Sequence, residues 1–170
     1  MPATPDELFA FLDRLAIQHS TVRHPPLFTV EQSQALRGTI PGAHTKNLFL
    51  KDKKDALFLV TALEDASIEL KSLHSRLGAK GRFSFGPADQ LLETLGVEPG
   101  SVTPFGAIND TQGRVTMVLD AALMTHQAIN AHPLANTMTT SISRDDLLRF
   151  LCAAGHEPLI MAVSSPPHEA

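Results

Sequence analysis

Three short stretches hold residue types able to act on an ester: Thr45-Lys46-Asn47, Gly100-Ser101-Val102-Thr103-Pro104 and His132-Pro133-Leu134-Ala135-Asn136-Thr137. The first sets a cation and a carboxamide at the start of a strand, just after a loop holding Pro41 and Gly42. Standing alone, such a lysine is an ordinary solvated surface charge. In the second stretch, Gly100 gives the backbone access to unusual φ, and Pro104 fixes φ and removes one N–H. A loop so constrained can aim its remaining N–H groups at one point, which an oxyanion or ester carbonyl requires. A plain structural turn has the same composition. The third stretch puts a polar pair, His132 and Asn136, just outside a strand.

Other chemistries find less support. The eight histidines form no HExxH pair and no Cys/His quartet, so no metal is expected. The G-x-S-x-G, GxGxxG and Walker patterns are absent. Cys152 stands among Phe150, Leu151 and Ala153 on a predicted helix and reads as a buried core thiol rather than an activated one. A single cysteine forms no internal disulfide, which suits a reducing, cytoplasmic setting.

The chain has 170 residues, 43% of them hydrophobic and 19% charged, enough for one domain with its own core. No apolar run approaches the ~20 residues that span a bilayer, so no membrane partner is expected. MPATPDELF lacks the basic start and apolar stretch of a secretory signal. With no Trp and no Tyr, a recognition face built on those rings is excluded.

The net charge of −4 is unevenly spread. From Lys46 to Arg82 the chain nets +3 and elsewhere −7. Lys51, Lys53 and Lys54 lie in that basic stretch, which is able to grip a few phosphates without binding nucleic acid indiscriminately. The competing reading is a mixed solvated surface.

Around these stretches the periodicity sets the elements. Thr4, Pro5 and Glu7 open a helix whose buried face is Leu8, Phe11, Leu12 and Leu15. Ser20–His24 is extended. Thr29 and Gln32 cap a second short helix that stops near Gly38. Asn47–Lys51 and Ala56–Ala62 form a hairpin across Asp52–Asp55, its second strand buried on both faces. A helix from Ser67 to Leu77 ends at Gly78, Arg82–Phe85 is a brief strand, and Pro87–Leu95 is a helix closed by Gly96. Val97–Asn109 is a shaped loop. Val115–Asp120, Ala128–Ala131 and Thr137–Ile142 are strands. Ser143 and Asp146 cap a last helix ending at Gly155, Leu159–Val163 closes the sheet, and residues 166–170 are a flexible tail beyond a domain spanning 1–165. Helices and strands alternate irregularly, so an α+β domain around one sheet is expected.

The order TKNLFLK, RFSF, LGVEPGSVTPFGAIND and HPLANT resembles the YbaK/prolyl-tRNA-synthetase-associated editing family over nearly the whole chain. Within it, the likeness is to the free-standing members that deacylate alanyl-tRNA(Pro). The resemblance implies a single domain with a mixed, mostly antiparallel sheet curled toward a barrel, helices packed around it. It implies catalytic roles for Lys46, Gly100 and Pro104. Substrate contacts would come from Asn47, Ser101, Val102, Thr103, His132 and Asn136, with Phe28 as a candidate pocket wall. The implied partners are the 3′ end and acceptor stem of tRNA(Pro), gripped by Lys51, Lys53 and Lys54, with prolyl-tRNA synthetase a further candidate. No metal or cofactor is implied, because the substrate's own terminal ribose hydroxyl helps to activate water. A cysteinyl-tRNA(Pro) deacylase of the same family and a non-enzymatic nucleic-acid-binding module stay open as alternatives.

Overall fold

Thr4 opens the first element as its sequence predicts. Its hydroxyl accepts from Glu7 N at 3.2 Å while the Glu7 carboxylate accepts from Thr4 N at 3.2 Å, which satisfies two otherwise orphaned helix donors. Helix α1 (Pro5–Arg14) follows, burying Leu8 and Leu12. The computed structural model describes residues 1–26, 35 and 39–165. Thr29, Gln32 and Gly38 (the expected cap and stop of a second helix), Phe28 and the tail 166–170 lie outside the described residues.

The remaining strands are β1 (His19–Arg23), β2 (Ala43–Lys51), β3 (Leu57–Leu63), β4 (Ser84–Phe85), β5 (Val115–Asp120), β6 (Ala128–Ala131), β7 (Met138–Ser143) and β8 (Leu159–Met161). The helices are α2 (Leu70–Leu77), α3 (Ala88–Leu95) and α4 (Arg144–Ala153). Helix α2 starts three residues later than its periodicity suggests, because Ser67 O accepts from Ser165 N at 2.8 Å and draws that stretch to the chain's far end. Gly78 and Gly96 stop α2 and α3 in the left-handed conformation, at φ 66° and 68°.

One mixed sheet runs in the order β1-β7-β6-β2-β3-β5-β8, with β4 added to the end of β2. Pairs β1/β7, β6/β7, β2/β3 and β2/β4 are antiparallel, and β2/β6, β3/β5 and β5/β8 are parallel. Strands β1 and β8 do not pair, so the sheet is open. Apolar residues cover both of its faces. Phe49, Leu59, Met117 and Leu119 pack with α1, α3 and α4 on one, and Leu50, Phe58, Val60 and Val118 pack with α2 on the other. Strand β3 is buried from Leu57 to Ala62, as an internal strand between two apolar layers must be.

Cys152 departs from its expected place. Helix α4 buries Leu147, Phe150 and Leu151, and Cys152, a further 100° around the helix, is exposed. Among the described residues no helix is long and apolar enough to cross a membrane.

Candidate functional site

The Gly100–Pro104 segment folds as two 3₁₀ turns, Pro99–Ser101 and Pro104–Ile108, separated by extended Val102 and Thr103. Ser101 N donates to Glu98 O at 2.9 Å, and Thr103 Oγ1 accepts from Phe105 N at 3.2 Å. Behind the loop, Asn109 Nδ2 donates to Leu95 O at 2.9 Å, and its Oδ1 accepts from Ala3 N at 2.8 Å. Buried Asp110 accepts from Arg114 N and Val115 N and pairs with buried His156 at 2.9 Å. The loop is therefore pinned to α1, α3, β5 and the end of α4. Gly100 does not use the freedom that its type allows, since its φ is not positive. With Ser101 N engaged and Pro104 lacking an N–H, the amides of Gly100, Val102 and Thr103 are the candidate donors of this stretch.

Strand β2 meets this loop through Asn47. Its Nδ2 donates to Val102 O at 3.1 Å, and its Oδ1 accepts from Thr61 Oγ1 at 2.6 Å. Thr61 is the cross-strand partner of Asn47, so the carboxamide is held from both sides. Successive strand side chains leave on opposite faces, and Lys46 accordingly departs on the other one. Its ammonium donates to Ala66 O. The side chain that reaches the loop is Asn47 rather than Lys46.

The β6–β7 connection supplies the third segment. Leu134, at φ 70°, turns it sharply, and Asn136 comes to rest beside Gly100. A Cβ placed on Gly100 would lie 3.4 Å from Asn136 Nδ2. His132 Nδ1 donates to Met138 O at 2.9 Å. Burial pushes the His132 imidazole below the ordinary histidine range, and repulsion from His24 adds to this while the bond to Met138 O opposes it. The parallel register Ala43↔Ile129 and His44↔Asn130 seats the end of β6, just before His132, against the start of β2.

Lys51, Lys53 and Lys54 sit at the far end of β2, about 16 Å from Lys46 along the strand. Lys51 is half-buried with its ammonium 3.6 Å from Asp55, while Lys53 and Lys54 are exposed. Buried Asp52 organises this tip. Its carboxylate accepts from Lys54 N and Ala56 N at 2.9 Å each and from Lys80 N at 3.0 Å. Burial opposes the Asp52 charge, but the three N–H donors and the nearby Lys80 ammonium outweigh it and hold the carboxyl below the usual carboxylate range.

The fold thus joins Asn47, Val102, Gly100 and Asn136 in one place, while Lys46 leaves β2 on the opposite face and His132 lies just past the end of β6. An open groove of about 940 Å³ lies elsewhere, lined by Asp13, His19, Gln127, Ser141 and Asp146 among others. Thr61, His24 and Lys80 escape a reading of the sequence. Thr61 sits inside an apolar strand pattern, and only the pairing of distant segments brings His24 to His132 and Lys80 to the hairpin tip.

The sequence signature of the aminoacyl-tRNA editing domain family matches residues 24–150. A Danio rerio protein named prolyl-tRNA synthetase associated domain-containing protein 1 is 42% identical over 158 residues, covering 92% of this chain and 85% of that one. The prolyl-tRNA editing protein ProX of Acetoanaerobium sticklandii is 33% identical over 150 residues, covering 88% and 91%. Among solved structures, a protein known only as hypothetical matches at TM-score 0.73 and 16% identity, over 93% of this chain and 99% of that one. Another, provisionally described as a trans-editing enzyme for prolyl tRNA synthetase, matches at TM-score 0.71 and 14% identity over 96% and 99%. At such identities the structural likeness is one of fold. On the strength of the sequence match, which spans all three segments of the site, the chain belongs to the aminoacyl-tRNA editing domain family.

Proposed function

We propose that the protein is a trans-editing deacylase that hydrolyses mischarged alanyl-tRNA(Pro). The observation that carries this reading is the clasp of three distant segments, Asn47 on Val102 O and Asn136 on Gly100. It holds in place a loop whose amides of Gly100, Val102 and Thr103 are the candidate donors. Water attacks the ester carbonyl, and those amides stabilise the oxygen as charge develops on it. The acyl C–O bond then breaks, releasing alanine and the tRNA 3′-terminal hydroxyl, with the neighbouring ribose hydroxyl helping to activate the water. His132 and Asn136 orient the terminal adenosine, and Lys46 pairs with the terminal phosphate or the aminoacyl carbonyl. Lys51, Lys53 and Lys54 extend this contact along the acceptor stem.

The task has a physical basis. A pocket shaped for proline rejects the smaller alanine by only a few kcal/mol, so a second site that admits small side chains is needed to correct the error. The names borne by the relatives, an editing protein for prolyl-tRNA and a domain associated with its synthetase, support tRNA(Pro) as substrate and the synthetase as partner.

A deacylation panel with Ala-, Cys- and Ser-charged tRNA(Pro), run with and without a chelator, tests the reading. Preferential hydrolysis of the alanyl ester, unaffected by chelator, is expected. Preference for the cysteinyl ester would reassign the substrate, and absence of hydrolysis of all three would overturn the reading.

A further inference from the structure

Two imidazoles stand side by side where β1 and β6 end. The ring centroids of His24 and His132 are 6.3 Å apart, with their planes tilted by 51°. The rings are tethered to adjacent residues of β7. His132 Nδ1 reaches Met138 O at 2.9 Å, and His24 Nε2 reaches Thr139 Oγ1 at 2.8 Å. His24 is anchored further through its backbone N–H to Thr137 O at 2.9 Å and its Nδ1 to Pro25 O at 2.8 Å.

These partners assign the protons. A backbone carbonyl only accepts, so Nδ1 carries hydrogen on both rings. In the neutral ring, His24 Nε2 therefore accepts from the Thr139 hydroxyl. His132 Nε2 is left as a bare lone pair with no partner among the described residues. A ring whose Nδ1–H is bound to a carbonyl has its tautomer set by that carbonyl, and the carbonyl is held by whatever holds its strand.

We propose that His24 is a positioning residue of the deacylase site: by clamping Thr139 it keeps Met138 O on His132 Nδ1, so that His132 offers Nε2 as an acceptor to a hydroxyl of the substrate's terminal ribose. This rests on the deacylase reading above. Among the described residues, the titratable group facing His132 is His24, at the end of β1. The connection 133–137 and the start of β7 contribute none. The acceptor role needs a neutral ring. Activity therefore falls as pH drops through the depressed His132 value, and removing His24 moves that acid limb upward, toward the ordinary imidazole range.

Long-range ¹⁵N–¹H spectra of the full chain read the tautomer directly, independently of activity. The wild type is expected to show Nδ1–H on His132, and His24→Ala a mixture of tautomers. In the same variant kcat on alanyl-tRNA(Pro) is expected to fall about tenfold while KM stays within about twofold. His24→Gln, whose carboxamide oxygen also accepts from Thr139, should recover the tautomer and most of kcat while keeping the raised acid limb. It carries the test if His24→Ala does not fold. An Nε2–H His132 in the wild type, or a folded His24 variant with unchanged tautomer, kcat and pH profile, would overturn the assignment. A wild type without deacylase activity would overturn the deacylase reading instead, with the spectra still deciding whether His24 sets the His132 tautomer.

Discussion

Gly100 has no positive φ, and among the described residues a Cβ placed there would meet only Asn136 Nδ2, at 3.4 Å. Its missing side chain leaves space rather than serving backbone freedom. Replacing such a glycine removes freedom from the unfolded chain without straining the folded one. Gly100→Ala is therefore expected to hold or raise Tm by thermal melt, yet to slow deacylation, because the methyl group occupies the approach to the loop amides. A fall in both would return Gly100 to a purely structural role. Asn47 behaves oppositely. Asn47→Ala strands Val102 O and the hydroxyl of buried Thr61, and should cost about 1–3 kcal/mol in denaturant unfolding. Lys46→Ala tests the charge alone. Loss of an electrostatic stabiliser of this kind slows a reaction by about 10²-fold, and undiminished deacylation by a folded Lys46→Ala protein would remove the lysine from the mechanism.

At the scale of the element, the β2–β3 hairpin tip is held by one carboxylate. Asp52 gathers the amides of Lys54, Ala56 and Lys80, and so fastens a turn bearing Lys53 and Lys54 to the segment that follows α2. Its carboxyl is held below the usual range in the folded state. The stabilisation is therefore fully present above the ordinary carboxylate pKa and is lost as pH falls through the lower folded value. Asp52→Asn should be less stable than the wild type by about 1–3 kcal/mol at neutral pH. The gap, followed by urea unfolding at several pH values, should narrow on acidification below about pH 4. A gap that is constant with pH would mean that the carboxylate charge contributes nothing.

Over the whole molecule, a net charge of −4 coexists with a stretch of +3, so long-range attraction to RNA is weak and contact is local. If Lys51, Lys53 and Lys54 each meet one phosphate, log K for tRNA(Pro) should fall with log salt at a slope of about −2 to −3. Replacing all three by alanine should flatten that slope while leaving cleavage of a minimal aminoacyl ester unchanged. A slope indifferent to salt would refute the role of the basic tip without touching the chemistry at Gly100.

Much was legible without coordinates, for local reasons. The Thr4–Glu7 and Ser143–Asp146 caps, the left-handed glycines after α2 and α3, and the two-sided apolar run of β3 are decided within a few residues of chain. The three stretches singled out for their residue types meet in the fold, through Asn47 on Val102 O and Asn136 beside Gly100. What required tertiary structure was orientation between distant pieces. Strand pairing decided that Asn47 rather than Lys46 meets the loop, and helix phase against the core decided that Cys152 faces solvent. The pairing of β6 with β2 and β7 placed His132, and β1 on β7 carried His24 to its side. Local propensity sets what an element is. Which of its faces meets which partner depends on register, and register is set by contacts far apart in the chain.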